Sequence, residues 1–168
     1  LVNVGLMLGR TVWIESPQPL YPNFYVLLLG QTGDARKSTA LWLAGQLLKR
    51  VGEDDVEIIR GIVSTVGLFV RLAKKDDTRA LGYVDEFSSL LSIGQRQGTR
   101  DLLPKLNSLI YCPDQETIDR RKDPTTVIRP FFSLIAATAQ DYVADLIGNL
   151  ELSGGMLNRF LMVAGNEQ

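Results

Sequence analysis

The strongest constraint on the fold is an apolar run that ends at a glycine-containing loop and is followed at once by a helical pattern. Residues 24–30 read FYVLLLG and follow the turn-like pair Pro22–Asn23, which is typical of a strand buried on both faces. Residues 38–50 carry basic residues in their last turn and apolar side chains at helical spacing: Leu41, Leu43, Ala44, Leu47 and Leu48. The chain is therefore predicted to run from a central strand through a loop into a helix.

The same alternation continues along the chain. Four more segments have the short apolar character of strands: 56–61, 80–86, 131–138 and 160–165. The helical patterns between them are 64–75, capped by Ser64, then 87–111, with a break around 92–98, and 139–150. Strands that alternate with helices predict an α/β fold with a parallel sheet of about five strands and right-handed crossovers.

The number of domains follows from the length. With 168 residues and 45% hydrophobic content, the chain has room for one domain with a sizeable core but little room for two. It opens on Leu1 and closes on a polar run, with strand-like text close to both ends. Residues 1–168 are therefore expected to form a single domain that is a segment of a longer polypeptide.

The composition limits the kinds of binding and catalysis that the chain can carry out. The 18 basic and 19 acidic side chains leave a formal charge of -1, which disfavours a generally basic coat for nucleic acid. Histidine is absent, so acid–base work falls to carboxylates. Cys112 is the only cysteine, and the most apolar stretch, 25–29, is far shorter than the ~20 residues of a membrane-spanning helix. We expect a cytoplasmic protein without membrane contact.

Residues 30–39, GQTGDARKST, lie between the predicted strand and helix, where a phosphate-binding loop must lie. In such a loop, a lysine neutralises the outer phosphates and the next hydroxyl binds magnesium, roles that fall to Lys37 and Ser38. The loop sequence departs from the usual G-x-x-x-x-G-K-[ST] motif, because the interval from Gly30 to Lys37 is one residue longer and Arg36 replaces the glycine before the lysine. The predicted nucleotide contacts are Gly30, Gly33, Asp34, Ala35, Arg36, Lys37, Ser38 and Thr39. The alternative is a glycine-rich turn that only caps the helix.

Polar residues also end two later strands. Asp85 and Glu86 follow an apolar run, and ligands of α/β sheets bind at the carboxyl ends of parallel strands. Asp85 is predicted to bind magnesium and Glu86 to polarise the attacking water, unless the pair only caps a helix. Thr138 and Gln140 reach the same edge, where one of them could orient water; their alternative role is also helix capping.

Arg159 follows a glycine pair in SGGMLNRF, residues 153–160, just before the last strand. An arginine placed there is suited to reach the nucleotide of an adjacent subunit and to stabilise charge in the transition state. The alternative is a solvated arginine or a structural salt bridge. Residues 116–120 and 125–129 flank the charged turn RKDP, which predicts an inserted β-hairpin outside the parallel sheet.

Six segments, in order, resemble a P-loop ATPase family of phage and mobile-element primase-helicase polypeptides: GRTVWIE, GQTGDARKST, GIVSTVGL, YVDEFSSLL, RPFFSLIAATAQ and SGGMLNRFLMV. The resemblance covers nearly the whole chain. It implies a three-layer P-loop NTPase sandwich, related to the AAA+ and superfamily III helicase cores, that binds ATP and Mg²⁺. The residues that match the family are the loop pair Lys37 and Ser38, the acidic pair Asp85 and Glu86, the sensor Thr138 or Gln140, and Arg159 in the closing motif.

The resemblance also implies partners. Related ring ATPases are homo-oligomers, so Arg159 is expected to act in trans. The predicted hairpin falls where related helicases carry a DNA-touching loop, and its basic tip, Arg120, Arg121 and Lys122, is suited to phosphates. A solvated charged turn is the alternative, since Asp119 and Asp123 offset part of the charge.

Three functions fit these residues. The first is an oligomeric ATPase motor that moves or opens nucleic acid. The second is a P-loop small-molecule kinase, which transfers phosphate to a hydroxyl within one subunit. The third is a nucleotide-gated binding or scaffold module that holds ATP without turnover, an option that the unusual loop favours.

Overall fold

The computed structural model of the chain describes residues 1–30, 37–50, 55–119, 123–143 and 155–165. Three predicted features lie wholly or mainly outside these ranges. They are the loop residues 31–36, the basic tip 120–122, and most of the predicted helix 139–150.

Strands and helices alternate through the described residues. The strands are β1 (Tyr25–Gly30), β2 (Val56–Arg60), β3 (Arg79–Val84), β4 (Gln115–Ile118), β5 (Thr125–Ile128), β6 (Phe131–Ala139) and β7 (Phe160–Ala164). The helices are α1 (Val2–Leu8), α2 (Lys37–Arg50), α3 (Thr65–Leu72), α4 (Phe87–Gln95) and α5 (Leu102–Leu109). A further helix begins at residue 140 and is described to residue 143, and a short 3-10 helix covers Leu157–Arg159.

Five of these strands form one sheet in the order β2-β3-β6-β1-β7, and every neighbouring pair is parallel. The predicted α/β fold with about five parallel strands is therefore confirmed. The crossover from β1 to β2 carries α2 past two strands, whereas the crossover from β2 to β3 carries α3 back in the opposite direction. Crossovers of one hand that run in opposite directions place their helices on opposite faces.

Two apolar clusters, one on each face of the sheet, confirm that placement. One joins α1 and α2 to the sheet through residues such as Leu6, Leu48 and Leu81. The other joins α3, α4 and α5 to it through residues such as Phe69, Leu90 and Phe132. The sheet is thus the middle of three layers, which explains why β6 is buried at eight consecutive positions and reads as a continuous apolar run.

The helix starts show how local sequence sets the elements. Ser64 precedes α3 with extended backbone, and its Oγ accepts a hydrogen bond from the Gly67 N–H at 3.0 Å. This is the N-cap that the sequence predicts. The predicted apolar stripe of α2 is only partly buried: Leu48 is buried, but Leu43 and Leu47 are 55% and 53% exposed. The side of α2 that carries Gly45 packs closely against Tyr83 of β3 instead. A Cβ on Gly45 would lie 3.2 Å from the Tyr83 hydroxyl oxygen.

The two ends of the described chain differ from each other. Near the start, where the sequence has strand-like character, residues 2–8 form the helix α1, and an isolated antiparallel bridge between Ile14 and Leu20 follows it. Arg79 in β3 fixes α1, since its guanidinium donates to the carbonyl oxygens of Leu6 and Met7, each at 3.1 Å. The strand predicted near the other end is present as β7.

The predicted hairpin is present as the antiparallel pair β4 and β5, separate from the main sheet. It packs against α3 through the buried side chains Ile118 and Val127. Glu116 joins it to α5, because its carboxylate accepts hydrogen bonds from Lys105 Nζ and Ser108 Oγ. Among the described helices, none is long and apolar enough to cross a membrane.

Candidate functional site

The strand order identifies one edge of the sheet as the place for a ligand. From β1 the chain leaves towards β2 on one side, and from β6 it leaves towards β7 on the other, although β1 and β6 are neighbours. Ligands of open α/β sheets bind outside the carboxyl ends of strands at such a switch point. The candidate site therefore lies beyond Gly30 and Ala139, which are partners in the register of β1 and β6.

The strand register brings the predicted acidic pair to that edge. Val84, the last residue of β3, is level with Ala136 of β6, and Leu29 of β1 is level with Thr138. β3 thus ends level with Leu27 of β1, three residues before β1 and β6 end, and Asp85 and Glu86 continue from there towards the same edge. β3 and β1 are separated only by β6, a distance of roughly 10 Å at the usual strand spacing.

The two carboxylates are exposed to solvent but differ in their contacts. Glu86 stands at the N-cap of α4 with extended backbone, and its Oε1 accepts a hydrogen bond from Ser88 Oγ at 2.7 Å. Among the described residues, none forms a hydrogen bond or an ion pair with the Asp85 carboxylate. Asp85 is therefore open to a cation, and Glu86 is held in one orientation by α4.

The two sensor candidates are distinguished by burial. Thr138 is 1% exposed within β6, one residue before that strand ends. Gln140 is exposed at the start of the helix that follows. Of the two, Gln140 has the side chain that can reach a ligand in solvent, whereas Thr138 lies within the sheet.

The predicted phosphate loop is only partly described. Residues 31–36 and the side chains of Lys37 and Ser38 lie outside the description, but both residues belong to the first turn of α2. Thr39, in the same turn, is exposed. Backbone N–H groups in the first turn of a helix have no partner within the helix and favour an anion. Lys37 and Ser38 thus lie at a helix start, where the backbone favours an anion.

The residues present fit a magnesium ion that is shared with a phosphate. Magnesium keeps several waters and takes one or two protein oxygens together with phosphate oxygens, and the exposed carboxylate of Asp85 supplies such an oxygen. No cluster of three or more histidine, cysteine or acidic side chains able to hold a metal occurs in the described ranges. A metal here would therefore depend on the nucleotide for most of its ligands.

A pocket that sequence reasoning missed lies next to the acidic pair. It has a volume of about 500 Å³, opens at the carboxyl ends of β2 and β3, and extends between α2 and α4. Its lining includes Trp42, Arg60 and Tyr83, together with Asp85 and Glu86. The available signal was Trp42, because an aromatic residue that interrupts the polar face of a predicted helix is unusual for a solvated surface.

Arg159 lies at the opposite edge of the sheet. It ends the 3-10 helix before β7, and Phe160 is level with Tyr25, the first residue of β1. Five strand residues separate that level from Gly30, about 17 Å at the usual rise. The guanidinium donates to the Gly155 carbonyl oxygen at 2.8 Å and to the Tyr111 hydroxyl at 3.3 Å, and it faces the Tyr111 ring at 5.6 Å.

The predicted residues thus divide into two groups. Gly30, Asp85, Glu86, Thr138 and Gln140 share the carboxyl edge, whereas Arg159 does not lie there. The tip Arg120, Arg121 and Lys122, like Gly33, Asp34, Ala35 and Arg36, falls outside the described residues. No protein-family model matches this chain, and no curated protein matches it either.

Proposed function

We propose that this chain is the ATP-hydrolysing motor core of a helicase-like protein that acts on DNA in the replication of a phage or mobile element. One observation carries most of the weight. The strand order puts the switch point of the sheet at the end of β1, where the loop sequence GQTGDARKST begins, and the register puts Asp85 and Glu86 within three residues of that level. Loop and acids are the two halves of a phosphoryl-transfer site.

The roles follow from position and charge. Lys37, in the first turn of α2, is assigned to the outer phosphates of ATP, and Ser38 and Asp85 are assigned to the magnesium ion. When bound, magnesium neutralises charge that develops on the transferred phosphoryl group. Glu86 orients and polarises the attacking water, and its hydrogen bond to Ser88 fixes the direction of its carboxylate. Gln140 or Thr138 completes the water site.

The position of Arg159 supports a ring in which this residue acts in trans. At about 17 Å from the end of β1, it is too far to contact a phosphate bound in its own subunit. Next to it, β7 exposes Leu161, Met162 and Val163 on the edge strand of the sheet. Exposed apolar side chains on a strand at the edge of the described sheet are typical of a surface that a partner covers.

The DNA contact and the compartment stay predictions from the sequence. The basic tip, Arg120, Arg121 and Lys122, is proposed to contact phosphates of the DNA backbone, and the hairpin that carries it is anchored to α3 and α5. A cytoplasmic location is proposed with it.

Magnesium-dependent phosphate release from ATP tests the proposal directly. The wild-type chain, Lys37→Ala and Glu86→Gln are compared across protein concentrations, with and without single-stranded DNA. We expect release that rises with concentration and with DNA, and a loss of at least about 100-fold in both variants. Asp76→Asn is the matched control, since Asp76 is an exposed acid that precedes β3 at the opposite edge, and it should keep wild-type release.

Each result has a distinct meaning. Nucleotide binding without release in any condition would favour the scaffold module that holds ATP without turnover. Release that does not depend on protein concentration would remove the ring and the trans role of Arg159. Equal loss in Asp76→Asn and Glu86→Gln would show that the chain is sensitive to lost charge in general, and would remove the assignment of Glu86.

A P-loop small-molecule kinase is the second candidate, and the pocket beside the acids is the observation that favours it. A pocket of about 500 Å³ lies within the range of roughly 300–1,000 Å³ that small ligands occupy, and Asp85 and Glu86 on its lining could deprotonate an acceptor hydroxyl. Product analysis separates the candidates, because a kinase transfers the phosphate of ATP to an added acceptor, whereas a motor releases it to water.

A further inference from the structure

The pocket at the carboxyl ends of β2 and β3 has its own chemistry, apart from the loop that is assigned to ATP. The strand β2 ends at Arg60, and the chain then turns at Gly61, whose φ of 67° is in the left-handed region. The Gly61 N–H donates to the Tyr83 carbonyl oxygen at 3.3 Å. Both Arg60 and Gly61 line the pocket.

One wall of the pocket is aromatic and cationic. Trp42 of α2 is 55% exposed, although tryptophan is usually covered. The Arg60 guanidinium lies over the Tyr83 ring at 5.8 Å, so its charge is held beside an aromatic face. Burial raises the pKa of the Tyr83 hydroxyl, and the Arg60 charge offsets part of the rise. An exposed indole and an arginine on the lining of one pocket are a combination suited to a base and its phosphate.

The remaining walls are apolar and acidic. Ile62, Val84 and Leu90 are buried and form an apolar floor, while Asp85 and Glu86 lie on the lining. A phosphate is repelled by the two carboxylates and attracted by Arg60, so an anionic group must lie at the Arg60 end.

We propose that this pocket binds a nucleobase together with its phosphate, with the base against Trp42 and the phosphate paired with Arg60. The ligand is either a nucleotide within an unpaired DNA strand or a free mononucleotide, since both carry the same chemistry. The assignment rests in part on the proposed function, because Asp85 and Glu86 line the pocket and also serve the ATP site. A ligand here touches the residues that hydrolyse ATP, so its binding is coupled to hydrolysis.

Tryptophan fluorescence gives a direct test, because the chain has two tryptophans, Trp13 and Trp42. Trp13 is exposed in the segment before β1 and does not line the pocket, so Trp13→Phe leaves Trp42 as the sole reporter. The emission is followed on addition of a short oligothymidylate, thymidine monophosphate or ATP. We expect quenching by the strand, by the mononucleotide or by both, and about tenfold weaker binding in Arg60→Ala. Arg100→Ala, an exposed arginine outside the pocket, should bind like the parent.

The added ligands distinguish a DNA strand from a free mononucleotide in the pocket, and they distinguish failure of this proposal from failure of the proposed function. Quenching by the strand alone assigns the pocket to DNA, and quenching by the mononucleotide alone assigns it to a free acceptor. No quenching by either, or quenching that Arg60→Ala does not weaken, overturns the proposal. Quenching by ATP alone overturns it too, because the pocket then holds the base of the hydrolysed nucleotide. Phosphate release is measured separately, so a chain that binds the strand but never hydrolyses ATP refutes the motor and leaves the pocket standing.

Discussion

The polar side chains around the start of β1, at the amino edge of the sheet, and those that follow β3, at the carboxyl edge, differ in burial and in pairing. At the amino edge, the Tyr25 hydroxyl donates to the Leu106 carbonyl oxygen at 2.7 Å, and the Asn23 amide donates to the carbonyl oxygens of Ile110 and Phe132 at 2.8 and 3.3 Å. At the carboxyl edge, Asp85 and Glu86 are exposed. Buried polar groups must be paired to avoid a cost in free energy, so the first edge serves stability. At the carboxyl edge, the charges of Asp85 and Glu86 are accessible from solvent.

Asp85→Asn should give the largest effect and should act on activity alone. If Asp85 holds the metal as proposed, we expect phosphate release to fall at least about 100-fold, because the metal would lose its carboxylate ligand and with it several kcal/mol of charge stabilisation. The free energy of unfolding should change by less than about 0.5 kcal/mol, since the side chain is exposed. Phosphate release and urea unfolding check the two parts. A variant that loses stability and activity together would show that both edges support the fold.

Asn23→Ala makes the opposite change. Removing its amide removes the hydrogen bonds to two carbonyl oxygens, so the free energy of unfolding should fall by about 1–3 kcal/mol. Phosphate release per folded molecule should stay at the wild-type level, because the residue precedes β1 at the amino edge. Urea unfolding checks the first part, with Asn158→Ala as control, since Asn158 is exposed. Lost release in fully folded Asn23→Ala would contradict the division between the edges.

The sequence predicts the sheet better than it predicts either edge. The strands β1 and β6 are continuous apolar runs because both faces are covered, and period and length alone identify them. The pocket was missed because Trp42, Arg60 and Tyr83 come from three separate elements, and only the parallel pairing of Arg60 with Tyr83 brings two of them together. The contacts of Arg159 were missed for the same reason, since Tyr111 precedes it by 48 positions and carries no motif.

Alkaline pH offers a second way to probe the amino edge. Burial raises the pKa of the Cys112 thiol from 9.0 to about 12, although the Arg10 charge and a backbone hydrogen bond from Phe132 oppose the rise. A raised pKa in the folded state means that this contribution to stability is complete below pH 9 and is lost as the pH rises towards 12. Cys112→Ala should therefore reduce the fall in stability over that range by up to about 1.4 kcal/mol per pH unit.

Urea unfolding from neutral pH to about pH 11 measures that slope. Asp76→Asn is the control, because it changes an exposed side chain in the turn before β3. Identical slopes for wild type and Cys112→Ala would show that the buried thiol does not set the alkaline limit. The Tyr25 hydroxyl, whose pKa burial also raises, would then be the next group at this edge to test for the loss of stability at high pH.

Tyr111→Phe should give the smallest effect, and it tests whether the amino edge also serves the neighbouring subunit. The variant keeps the ring that faces Arg159 but loses the hydroxyl that accepts its hydrogen bond. If Arg159 acts in trans, we expect kcat to fall by about 2–10-fold with KM unchanged, because the bond orients a group that acts on the transition state. Tyr21→Phe is the matched control, since the Tyr21 hydroxyl and ring contact Arg10 in the same way but at no proposed site. Equal kcat values for the two variants would show that the contact of Tyr111 with Arg159 is structural. The amino edge would then serve the stability of its own subunit and not the site of a neighbour.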